Sequence, residues 1–178
     1  VYVKNHGVDA AALDRFYDSF RAFVALPEAA KAPYGRGDLW YQRGWTPPNT
    51  EVAVASGGQP DFKECFFVAP YDNDKDLEAQ YPELYPPNVW PAETDAEFRE
   101  GYIRLGRALH EAGLRLLEGA ARALELAPNT FTGLLENGPH VTRVLNYLPL
   151  AEGQVEHGIR WGEEHTDCNL RTLLPGGR

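Results

Sequence analysis

The sequence predicts an α+β chain, on two observations. Apolar residues recur at helical spacing in two segments, about residues 9–26 and 95–126. Strand-like runs gather toward the end rather than alternating with helices, which argues against βαβ units. The 178 residues, 43% hydrophobic and 24% charged, are enough for one domain with its own core.

Val1–Val3 reads as the end of a strand, and Asn5-His6-Gly7 as a turn. Asp9 is placed to cap a helix carrying Leu13, Phe16, Tyr17, Phe20, Phe23 and Val24 on one stripe. Pro27 ends that helix or restarts a short turn through Lys31. Residues 34–60, rich in Gly, Pro, Asn and Ser, read as a long loop of the kind that often carries function. Phe62–Val68 is a strand by composition, and residues 69–93 are loop again. Thr94-Asp95-Ala96-Glu97 has the capping-box pattern, opening a helix over about residues 95–126. Its stripe is Phe98, Tyr102, Leu105, Leu109, Ala112, Leu116, Ala120 and Leu124, and Pro128 stops it. Gly106, Gly113 and Gly119 weaken this helix intrinsically, which implies close packing against another element. Val141–Leu148 and Glu164–Leu174 read as strands.

Lys plus Arg is 17 and Asp plus Glu is 26, a net charge of −9 that argues against nucleic-acid binding. No apolar stretch is long enough to span a membrane as a helix. Two cysteines, Cys65 and Cys168, make neither a disulfide framework nor a zinc spacing, so a reducing cytoplasm is the default compartment. Both alternate into strands and read as buried small residues.

His165-Thr166-Asp167 is the sharpest chemical feature. On a strand, residues i and i+2 face one way, so the imidazole and carboxylate reach a common point. They supply two of the three ligands of the 2-His-1-carboxylate triad that holds Fe(II) with open positions. The same tripeptide also describes a half-buried His hydrogen-bonded to its neighbouring Asp. On a continued strand, Asn169 and Arg171 share the face of His165 and Asp167.

Several segments, in this order and spacing, resemble the Fe(II)- and 2-oxoglutarate-dependent oxygenases of the isopenicillin N synthase-like family. They are Asn5-His6-Gly7-Val8; Phe23 to Pro27 with Lys31; Gly44, Trp45, Pro47 and Glu51; Asp61-Phe62-Lys63-Glu64; and the long helix. Arg143 to Pro149, and Gly162 to Asp167 with Leu170 and Thr172 to Leu174, complete the set.

The resemblance implies a double-stranded β-helix, or jelly roll, with an N-terminal helical region over residues 1–128 and the first part of the barrel over 129–178. It implies Fe(II), O2 and 2-oxoglutarate as cosubstrate, with oxidation of a small molecule, by hydroxylation or desaturation, and release of succinate and CO2. His165 and Asp167 become metal ligands. The distal His and the Arg that binds 2-oxoglutarate lie further along in the family, and no His follows His165. The expectation is therefore a section of a longer chain, cut inside its barrel. Leu148 stands where a cosubstrate-binding Tyr is frequent, leaving Asn146 and Tyr147 as candidates for that role. Arg171 replaces a usual aliphatic residue, so it is expected either to be exposed or to anchor an anion such as a substrate carboxylate. Arg43, beside Tyr41 and Trp45 on a loop, suits the same task. His110 is expected to be solvated. A 2-oxoglutarate-independent oxidase and a catalytically silent jelly-roll binding domain are the alternative readings.

Overall fold

Asp9 starts the first helix as its sequence position requires: its carboxylate accepts from the Ala11 amide at 3.0 Å. In the computed structural model, which describes residues 2–52, 57–154, 157–162, 164–167 and 169–177, helix α1 covers Ala10–Val24. It buries Ala12, Phe16, Ser19, Phe20 and Phe23, the face set by its three- and four-residue spacing. Pro27 stands at the entry to a short α2, Glu28–Lys31. The loop expected over 34–60 contains a buried strand β1, Gly44–Thr46. The loop expected over 69–93 contains α3, Lys75–Gln80, capped by Asp74.

Helix α4 runs from Ala96 to Ala123. Its cap is Asp95, one residue past the capping-box position: the Asp95 carboxylate accepts from the Phe98 amide at 3.0 Å, while Thr94 donates to the Pro91 carbonyl. The helix stops before Pro128 is reached. Glu125 adopts φ +56°, the Leu126 amide reaches back to the Ala121 carbonyl, and the Glu125 amide bonds the Arg122 carbonyl. That is a Schellman closure with Glu in the left-handed position. The stripe is buried at Phe98, Tyr102, Leu105 and Ala112, but Leu116 and Leu124 are exposed.

Two glycines explain how α4 lies so near its neighbours. A Cβ at Gly101 would come within 2.8 Å of the Phe16 ring, and one at Gly106 within 2.3 Å of the Thr142 hydroxyl. α4 thus touches α1 at one glycine and the sheet at the other.

The sheet has the order β1-β2-β3, all antiparallel, with β2 at Lys63–Val68 and β3 at Thr142–Tyr147. It joins strands from both sides of residue 128. Trp45, Phe66 and Val144 are in register across it, on the face covered by the helices. The Phe23, Phe66 and Phe98 rings lie 5.1–5.2 Å apart. The Tyr102 hydroxyl, fully buried, donates to the Phe66 carbonyl at 3.1 Å, and burial pushes its pKa well up.

Among the described residues, two expected strands are not seen. Residues 2 and 3 are irregular, as are the described residues of 164–174, and Val1 and Cys168 lie outside the described residues. Alternation marks which side chains could share a face, but a strand also needs a hydrogen-bonded neighbour. Among the described residues no strand pairs with 164–174. No helix among them is long and apolar enough to cross a membrane.

Candidate metal centre

The site segment is led in by the sheet. The Phe62 amide donates to the Arg160 carbonyl at 2.7 Å, and Asp61 bridges Arg160 in parallel, so residues 160–162 run beside the start of β2. The Trp161 indole donates to the Leu148 carbonyl at 2.7 Å, and its ring lies 5.8 Å from that of Tyr147. Beyond Gly162 the chain reaches His165 and Asp167. Their side chains meet, with His165 Nε2 3.4 Å from Asp167 Oδ1, although the backbone there is not a strand. Both are open to solvent, at 62% and 47% side-chain exposure. The Thr172 hydroxyl donates to Asp167 Oδ2 and lies 3.2 Å from Asn169 Oδ1. An imidazole nitrogen and a carboxylate oxygen at this spacing are a donor set that fits Fe(II). Among the described residues no group of three or more His, Cys, Asp or Glu forms a metal cluster.

The face of β2 and β3 turned away from the helices carries a charged layer. Lys63 pairs with Asp61 and, at 3.1 Å, with Glu51, while Arg143 pairs with Glu51 and reaches Cys65 Sγ at 3.4 Å. The Arg143 guanidinium also sits 5.0 Å over the Phe67 ring. Burial lowers the pKa of Lys63, but its hydrogen bonds to Asp61 and Glu51 outweigh this and hold it above the ordinary lysine value. Burial pushes the Cys65 thiol up, against the opposing pull of Arg143.

Glu64 faces the other way. It is buried and accepts from Lys31 at 2.7 Å, from the Trp45 indole at 2.8 Å and from the Asn146 amide at 3.0 Å. The Asp61-Phe62-Lys63-Glu64 motif therefore feeds two separate networks on opposite faces. The motif is visible in the sequence; its partners, far along the chain, are not.

Asn146 and Tyr147 fall on opposite faces of β3, as strand alternation demands. Asn146 is engaged by Glu64, and Tyr147 is 52% exposed. Arg43 is not a loop-surface charge. It is 1% exposed, donating to the Pro86 carbonyl at 3.2 Å and the Gln42 carbonyl at 2.7 Å. Burial lowers its pKa. Arg171 is neither free in solvent nor on an acidic group: its guanidinium lies on α4 and donates to the His110 carbonyl at 3.2 Å. His110 is half-buried rather than solvated, its ring 4.3 Å from that of His140 and 5.2 Å from that of Tyr71. His6 is the turn residue expected, its Nδ1 accepting from the Val8 amide at 3.1 Å. Cys65 is buried as its strand position implies.

The family model described as non-haem dioxygenase in morphine synthesis N-terminal matches residues 1–93. A 2-oxoglutarate-Fe(II) type oxidoreductase from Metarhizium majus is 25% identical over 98% of this chain and 53% of its own length. A 2OG-Fe(II) oxygenase family protein from Caulobacter crescentus superposes with a TM-score of 0.68 at 32% identity, over 82% of this chain and 46% of that one. A full-length Neurospora crassa protein in complex with alpha-KG superposes at 0.72 and 20% identity, over 92% of this chain and 50% of its own, a likeness of fold. The chain spans about half the length of these relatives. With more than half of its residues matched by the family model, the chain belongs to the Fe(II)- and 2-oxoglutarate-dependent non-haem dioxygenase family.

Proposed function

We propose that the protein is an Fe(II)- and 2-oxoglutarate-dependent oxygenase that hydroxylates or desaturates a small molecule. Family membership makes the class, and the meeting of His165 and Asp167 carries the site. His165 offers the lone pair of a neutral ring nitrogen, and Asp167 offers a carboxylate oxygen. The Thr172 hydroxyl, bonded to Asp167 Oδ2, turns the other oxygen toward His165. Bound there, Fe(II) with 2-oxoglutarate supplies the oxidation: O2 gives one oxygen to succinate, CO2 leaves, and the other oxygen goes to the substrate in hydroxylation or to water in desaturation. Tyr147 and Trp161 pack on each other, with Trp161 four residues ahead of His165.

Residues 1–128 serve in this reading as the helical region and 129–178 as the first part of a jelly roll. Two cysteines, with Cys65 buried and free, suit a reducing cytoplasm. One observation favours a second reading. Asn146, a candidate for holding the cosubstrate, is engaged by Glu64, and Leu148 takes the neighbouring Tyr position. An oxidase that draws all its electrons from substrate, without 2-oxoglutarate, would need neither.

The test is succinate release from 2-oxoglutarate by the complete protein with Fe(II) under air. His165→Ala and Asp167→Ala each abolish it. Turnover that survives both substitutions rejects the metal assignment. Substrate oxidation without succinate selects the second reading.

A further inference from the structure

Arg171 stands where an aliphatic side chain would be ordinary, and the structure shows where its charge goes. The guanidinium lies against the middle of α4, with Nη2 3.2 Å from the His110 carbonyl and 3.5 Å from His110 Nδ1. It fits only because residue 113 is glycine: a Cβ there would fall 1.0 Å from Nη1 and 1.9 Å from Cζ. Far apart in sequence, Gly113 and Arg171 form a socket and its plug. The plug sits four residues after Asp167 and immediately before Thr172, whose hydroxyl holds the Asp167 carboxylate. Seating Arg171 therefore fixes Thr172, and through it the orientation of Asp167.

We infer that Arg171 is a positioning residue that docks the His165–Asp167 segment on α4, through the Gly113 socket and a neutral His110. The inference rests on the metal-binding reading of His165 and Asp167. Its chemistry has a condition. A guanidinium 3.5 Å from an imidazole nitrogen is tolerated only while that ring is uncharged, with its lone pair as acceptor. The second ring, His140, lies 4.3 Å from the first, with its Nε2 2.9 Å from the Leu135 carbonyl. Burial lowers the pKa of both rings. His140 and Arg171 add to this at His110, where Glu111 opposes; Arg171 adds to it at His140, where the Leu135 carbonyl opposes. Tyr71 packs on both rings with Arg107 over its face, and Asp72, Asp74 and Glu136 line the same cavity of about 330 Å³. Protonating the pair sets up to three cations against one another, so docking weakens as pH falls through the ordinary histidine range, about 6.5.

Two measurements on the complete protein test this. Amide hydrogen exchange of residues 169–174, in the metal-free state and corrected for intrinsic rates, reads docking. Anaerobic Fe(II) titration reads its consequence at the ligands. Gly113→Ala, which fills the socket, is expected to speed exchange about tenfold and weaken Fe(II) by about 10–100-fold, the usual loss when a group supporting a metal ligand is removed. In an Arg171→Leu background the same Gly113→Ala change has no further effect, since the plug is already gone. Wild-type protection falls between pH 7.5 and 5.5, and His110→Asn with His140→Asn removes that pH dependence. Should Gly113→Ala not fold, Arg171→Leu alone, which adds no clash, gives the same two readings.

Exchange and affinity unchanged within twofold in either single variant overturn the inference, as does an equal Gly113→Ala effect in both backgrounds. If His165→Ala leaves Fe(II) binding intact, the metal reading fails instead, and the metal-free exchange data still judge the docking.

Discussion

Truncating Glu64 to alanine removes one acceptor and strands three donors. Lys31 and Glu64 have side chains 8% and 3% exposed, so their ion pair is shielded from water and from salt screening. Breaking such a pair from one side costs about 3–5 kcal/mol, because the remaining charge stays buried. The Trp45 indole and the Asn146 amide lose their acceptor as well, each adding about 1 kcal/mol. Lys31 recovers part of this through its bond to the Val24 carbonyl at 3.1 Å and its position 5.1 Å over the Trp45 ring. The net loss expected is about 4 kcal/mol, which for a chain of this size lowers Tm by roughly 8–16 °C. Chemical unfolding followed by Trp fluorescence and far-UV circular dichroism measures it. The double variant Lys31→Met with Glu64→Gln is expected to recover most of the loss, since no charge is left buried and the Gln carbonyl still accepts one donor. A Glu64→Ala loss below about 1 kcal/mol, or a double variant as unstable as the single, refutes the account of Glu64 as a buried electrostatic hub.

Three other outcomes are expected. Gly106→Ala forces a methyl onto Thr142 and Pro70 and should destabilise by about 1–3 kcal/mol, whereas Gly119→Ala, in open space, should stabilise by about 0.5–1 kcal/mol; paired denaturation curves compare them. His110 and His140 both titrate below the ordinary histidine value of about 6.5. They therefore cost nothing above that pH and destabilise the fold as pH falls through it toward their native values, so Tm should drop between pH 7.5 and 5.5, and less in the double Asn variant. Cys65, buried and with its thiol pKa raised, should resist iodoacetamide in the native protein at pH 8 and react after denaturation, as peptide mass mapping would show.

The elements that can be read from sequence are those long enough to show a period. α1, α4, β2 and β3 all appear where spacing or composition places them. β1 is three residues long and buried throughout, so Gly44-Trp45-Thr46 has no room to show alternation inside a Gly- and Pro-rich run. α3 buries none of its residues, so Lys75–Gln80 carries no apolar stripe to betray it. The Glu164–Leu174 pattern is a real alternation, but pairing depends on a neighbouring edge, which no local pattern encodes. At the site, the meeting of His165 and Asp167 is a two-residue relation and is legible. The fates of Arg43 and Arg171 are not, because the same side chain reads alike whether its neighbour is water, the Pro86 carbonyl or a glycine far upstream.

The central strand has a consequence for how the chain emerges during synthesis. β2 pairs with β1 across a short separation, but its other edge waits for β3. At about 5–20 residues per second, the roughly seventy residues between them take about 4–15 s to appear. Throughout that interval the Cys65-Phe66-Phe67-Val68 backbone is an open template for another chain. α4 emerges within the gap, and it is the helix that seats Phe98 and Tyr102 on Phe66. Its early packing therefore shields the apolar face of the nascent hairpin before the third strand arrives. Variants that slow α4, such as those weakening the Asp95 cap, should show their effect as aggregation during expression before they show it as lost stability in the purified protein.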